Sequence, residues 1–195
     1  MKNHEQIKKI TITAILGAIL TILGFFPIRI SALSITLTVI PVAIGIIICG
    51  TKTGIILGTL FGVVSFVQCL GYDAFGTTMF NINPFYTFLV CVPTRVLVGT
   101  IPGLIFKALV NKHKHLAQIL VCVSVPVLNT LFFMTTLCLC FYHTDYIQSF
   151  VSALGATNPL MFVVLFVGIN GVVEILAGVL ISYPISKALE VSMKK

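Results

Sequence analysis

Residues 35–66 read ITLTVIPVAIGIIICGTKTGIILGTLFGVVSF, and the fold follows from how this segment divides. Two apolar runs flank the connector GTKTG (50–54), whose only charge is Lys52. A membrane helix needs about 20 apolar residues. The segment therefore predicts two neighbouring membrane helices joined by a tight connector, the first of them short. Gly50, Gly54, Gly58 and Gly62 recur at every fourth position through the second run. Residues four apart share a helix face, and a flat face of small residues lets helices approach closely in lipid. This stripe reads as packing inside one subunit.

The rest of the chain has the same character. Of its 195 residues 58% are hydrophobic and 9% charged, with mean hydropathy +1.13. A soluble domain carries about 25% charge. The expectation is an all-α integral membrane protein, a single six-helix domain over 1–195, with spans near 8–26, 35–49, 54–70, 85–107, 117–141 and 158–187. Membrane lipid is thus a partner. The net charge of +7 does not indicate nucleic acid, because the basic residues sit in short connectors between apolar runs rather than on one folded face. The six cysteines lie within or beside apolar runs without CxxC or metal-ligand spacing, and read as small apolar filler.

Orientation follows from charge. Lys2, Lys8 and Lys9, Lys52, Lys107, Lys112 and Lys114, and Lys187, Lys194 and Lys195 make ten of the twelve basic residues. With six spans all ten fall on one side, Arg29 falls on the other, and Arg95 falls inside. The positive-inside rule then puts both termini in the cytoplasm. The first apolar run is too long for a signal sequence and no small-x-small cleavage site follows it, so it is kept as a span. Outside connectors 25–34, 71–84 and 141–159 are longer and rich in Gly, Pro, Asn and Asp, the composition of lids. Function is expected to face outward.

Arg95 interrupts NPFYTFLVCVPTRVLVG (83–99). An arginine at the centre of a membrane helix costs about 2.5–3.5 kcal/mol on insertion scales. It lies roughly 15 Å below the outer start of its helix, at a depth similar to Glu174, so the two are placed to form an ion pair. The alternative is a guanidinium offered to an acceptor on a bound small molecule. Gln68, Asn129 and Asn170 add uncharged polar groups to the spans. Asn170 and Glu174, four apart, share one face. Together these five residues predict a polar, substrate-binding pocket in the outer half. Enzyme motifs are missing: there is no GxSxG, HExxH or P-loop, and no carboxylate pair. No catalytic residue, metal site or cofactor is expected, and the chain holds nothing to hydrolyse ATP.

Five pieces in order resemble the S components (substrate-capture subunits) of energy-coupling factor (ECF) vitamin transporters, of the pantothenate-type or a related broad branch. These are the Ala14-x-x-x-Ala18 pair, the segment 35–66, the NPFYTF…VPTRVLVG block, LNTLFF (128–133) and GINGVVEILAGVLI (168–181). The resemblance implies a membrane subunit in the bacterial cell membrane that captures a vitamin from outside. Its implied partners are a membrane coupling subunit (the T component) and two ATPases, with the subunit toppling in the membrane to deliver its ligand. Ala14 and Ala18 inherit the contact with the coupling subunit. SALSITLTVIP lacks the acidic residue of the riboflavin branch, and Arg95 suits the carboxylate of pantothenate, the favoured ligand. Riboflavin or a pyridoxine-like vitamin is the alternative within the family. A stand-alone ion-coupled small-molecule transporter is the alternative outside it.

Overall fold

The structure is a computed structural model that describes residues 2–26, 28–29, 34–35 and 37–193; side chains at 2–4, 28–29, 34–35, 169–170 and 193 lie outside the described set. The protein is a helical bundle. Its elements are α1 (Lys2–Phe25), a two-stranded ribbon of β1 (Ile28–Arg29) and β2 (Ser34–Ile35), α2 (Val39–Cys49), α3 (Thr51–Gln68), α4 (Ala74–Ile82), α5 (Pro84–Leu109), α6 (Lys114–Phe141), α7 (Asp145–Ala153) and α8 (Pro159–Met193). The ribbon is antiparallel, with Ile28 opposite Ile35 and Arg29 opposite Ser34.

Among the described residues five helices are long and apolar enough to cross a membrane: Glu5–Phe25, Thr51–Gln68, Pro84–Leu109, Lys114–Phe141 and Gly171–Ser192. The second expected span takes a different form. Helix α2 has 11 residues, about 16 Å of rise, against a hydrocarbon core of about 30 Å. Every residue from Val39 to Ile47 is buried, and α2 touches α1, α3, α5, α6 and α8. A helix apolar all round belongs inside a protein; α2 is the central peg of the bundle.

The last expected span is also divided. Helix α8 breaks at Gly168, whose φ of 44° and ψ of −131° are non-helical. Positive φ is accessible to glycine without the steric cost of a Cβ. The break separates the short apolar segment Pro159–Gly168 from the membrane-length segment that follows.

The glycine stripe sets the closest packing in the molecule. A Cβ at Gly58 would stand 2.5 Å from the carbonyl oxygen of Arg95, and one at Gly62 would stand 2.9 Å from Val92 Cα. Gly54 and Gly99 face each other in the same way. Gly50 takes no part in this packing and instead turns the chain between α2 and α3 with φ of 90°. Thr51 Oγ1 donates to Gly103 O at 2.8 Å and closes the seam at its lysine-rich end.

Two of the outer connectors carry helices where the sequence predicted only lids. Asp73 caps α4, accepting from Gly76 N at 2.8 Å, and Thr144 caps α7. Both satisfy amides that the first helical turn leaves without partners. Phe75 of α4 packs against Tyr146 and Phe150 of α7 and Phe166 of α8, with ring centroids 5.6–5.9 Å apart. These rings join α4, α7 and the start of α8 into one aromatic roof.

Candidate functional site

The bundle has two apolar cores, and a polar level separates them. The outer core includes Val90, Met134 and Phe166. The inner core includes Val98 and Val125, with Val179 packed against it. Helix α5 passes from Val90 to Val98 and carries Arg95 between them. Helix α6 passes from Val125 to Met134 and carries Asn129; α8 passes from Phe166 to Val179 and carries Glu174. Each of these three polar residues is only 6% exposed. Three helices thus place a buried polar side chain at the same seam.

Arg95 is held by its own helix and by two rings. Its Nη1 donates to Val90 O and, at 3.2 Å, to Thr94 Oγ1. The side chain therefore runs back toward the helix N-terminus, the direction that helical side chains favour. The guanidinium carbon lies 4.8 Å from the Phe133 ring centroid and 5.4 Å from that of Phe61. Aromatic faces stabilise a cation by about 2 kcal/mol or more when water is excluded. These contacts offset part of the cost of burying the charge. Glu174 is near enough for its charge to act on Arg95. Among the described residues Arg95 Nε and Asn129 Oδ1 are buried without hydrogen-bond partners. One is a donor and the other an acceptor, and an unsatisfied buried group costs about 1–3 kcal/mol.

The other expected site residues fall differently. Gln68 uses its Nε2 to donate to Gly24 O, tying α3 to α1. The Asn170 side chain lies outside the described residues. Near Arg95 the thiols of Cys69 and Cys91 stand 3.7 Å apart, across the seam between α3 and α5. Sequence reasoning missed Phe61, Phe133 and Thr94, because stacking on a guanidinium depends on tertiary placement. It also missed Thr38, 2% exposed at the start of α2, whose hydroxyl has no partner among the described residues.

Ala14 and Ala18 are exposed on α1. They line a trough of about 1110 Å³ between α1, α3 and the end of α5, floored by Gly17, Leu57 and Leu60. Thr13 and Thr53 join across it at 3.2 Å.

Fold and site define a multi-pass helical membrane protein with a buried polar level under an aromatic roof. The sequence matches the family described as "ECF transporter, substrate-specific component" over residues 8–186. The chain belongs to that family. ThiT from Listeria monocytogenes shares the fold, with a TM-score of 0.62 and 18% identity over 97% of each chain. No curated protein matches the sequence.

Proposed function

We propose that this substrate-specific component captures a vitamin bearing a carboxylate, pantothenate in the favoured case, from the outer side of the membrane. One observation carries the reading: among the described residues Arg95 Nε and Asn129 Oδ1, on neighbouring helices α5 and α6, are buried without partners. A hydroxy- and amide-bearing carboxylate matches that pair, its anionic oxygens accepting from the guanidinium and a donor group meeting the Asn129 oxygen. Phe61 and Phe133 hold the guanidinium plane, and the roof of α4 and α7 excludes water above it. Glu174 adds a carboxylate at this level, Asn170 one helical turn before it is expected to join it, and Gln68 stands at the outer end of α3. Delivery inward then falls to the coupling subunit and two ATPases, docked through the Ala14 and Ala18 face. The family supports these partners.

Small molecules released from the purified, detergent-solubilised protein test the proposal by mass spectrometry. A stoichiometric carboxylate vitamin is the expected result. A vitamin without a carboxylate, such as a pyridoxine-like compound or riboflavin, would overturn the assignment of Arg95 while keeping the capture role.

A further inference from the structure

The trough beside α1 has an amphiphilic lining with a direction. Its walls are Ile10, Ala14, Ala18 and Ile56, and its lysine-rich end carries Lys9, Lys52 and Lys107, contributed by α1, α3 and α5. All three lysines are exposed. Among the described residues none of them is paired with a carboxylate; the described ion pair joins Lys114 to Glu190 at 2.9 Å. The wall residues Ile10 and Ile56 are 68% and 56% exposed, so the trough opens sideways into hydrocarbon. The positive-inside rule places the lysines at the cytoplasmic headgroup level.

We propose that this trough binds an acidic phospholipid. Its phosphate sits among the ammonium groups of Lys9, Lys52 and Lys107, and an acyl chain lies along Ala14 and Ala18. Basic pockets between membrane helices on the cytoplasmic side recognise anionic lipid headgroups. An apolar channel with cations at one end only complements an amphiphile with an anionic head. A free phosphate would leave the long apolar wall unused, and two threonines of the lining, Thr13 and Thr53, are already joined to each other. The small side chains of Ala14, Gly17 and Ala18 supply the depth that a chain needs. The lipid then occupies the face assigned to the coupling subunit, so docking requires that it leave. The binding site itself does not depend on which vitamin the protein captures.

The test is native mass spectrometry of the full chain in detergent. It receives equal amounts of phosphatidylglycerol and phosphatidylcholine with identical acyl chains, with and without excess glycerol 3-phosphate. Phosphatidylglycerol adducts should dominate and should persist against glycerol 3-phosphate. Each lysine near the headgroup level contributes about fivefold, so Lys52→Gln/Lys107→Gln should reduce the preference about 25-fold. Lys112→Gln/Lys187→Gln, which removes two lysines outside the trough, should leave it intact. Both pairs are exposed, and circular dichroism checks that each variant is folded. Equal binding of the two lipids would overturn the site. An equal loss in both double variants would replace it with diffuse surface charge, and displacement by glycerol 3-phosphate would replace it with an anion site alone.

Discussion

Arg95 buries a charge inside the bundle at a cost, and its Nε is left without a partner among the described residues. Nη1 donates to Val90 O and Thr94 Oγ1, and the guanidinium carbon lies close to the Phe61 and Phe133 rings. Lysine at this position keeps a charge but loses the planar fork and its stacking on two rings. Arg95→Lys should therefore weaken vitamin binding by about 10- to 100-fold, the equivalent of a charge-assisted hydrogen bond of about 1.5–3 kcal/mol. Its melting temperature should change little. Isothermal titration and a thermal melt on the same preparation separate the possibilities. Unchanged affinity with a large drop in melting temperature would assign Arg95 to the scaffold instead. A second residue-scale test is Asn129→Leu, which removes the orphaned acceptor. It should raise thermal stability in the empty protein, because leucine carries no unsatisfied oxygen, while lowering affinity for the ligand. A fall in both would indicate that Asn129 serves the fold.

At the scale of elements, α3 and α5 form the most closely packed pair, and glycine makes that approach possible. Gly58→Ala would drive a methyl group against the Arg95 carbonyl and Gly99 Cα, both backbone atoms with no rotamer to yield. Overpacking of this kind costs about 1–3 kcal/mol. A thermal melt should show a loss of roughly 3–10 °C, whereas Thr59→Ala, one residue on at an exposed position, should be nearly neutral. The four-residue glycine period was legible in the sequence because it is a local pattern. So were the long apolar helices, and the similar depth of Arg95 and Glu174, which follows from counting residues along two of them. The fate of α2 was less so, because an apolar run of 15 residues does not say whether lipid or protein surrounds it. Helices α4 and α7, nine residues each, were hidden among turn-forming residues. Their caps, Asp73 and Thr144, were the readable signals. The rings around Arg95 depend on contacts between distant segments, which no local pattern encodes, and a single glycine in an apolar run does not announce the break at Gly168.

Across the whole molecule, the two proposed sites are separated by the inner core. The polar level lies between the two cores, on α5, α6 and α8. The α1 trough lies on the outside of the bundle toward the lysine-rich end. Neither Ala14 nor Ala18 belongs to the polar level, and both are exposed, so filling the trough need not disturb capture. Ala14→Trp/Ala18→Trp places two large rings on the face proposed to dock the coupling subunit, and small residues are what allow close approach in lipid. Vitamin uptake by cells carrying the complete transporter should be abolished. Binding of the vitamin to the purified double variant should stay within about twofold of the parent, since no group at the polar level has changed. Loss of binding along with uptake would mean that α1 positions the capture site through α2 and α3, and the assignment of Ala14 and Ala18 to coupling would fall. Retained uptake would remove the trough from the delivery step altogether. The same pair of measurements on Arg95→Lys should give the reverse pattern, with uptake failing because capture fails. The two variants together therefore test whether capture and delivery reside on separate faces of one small bundle.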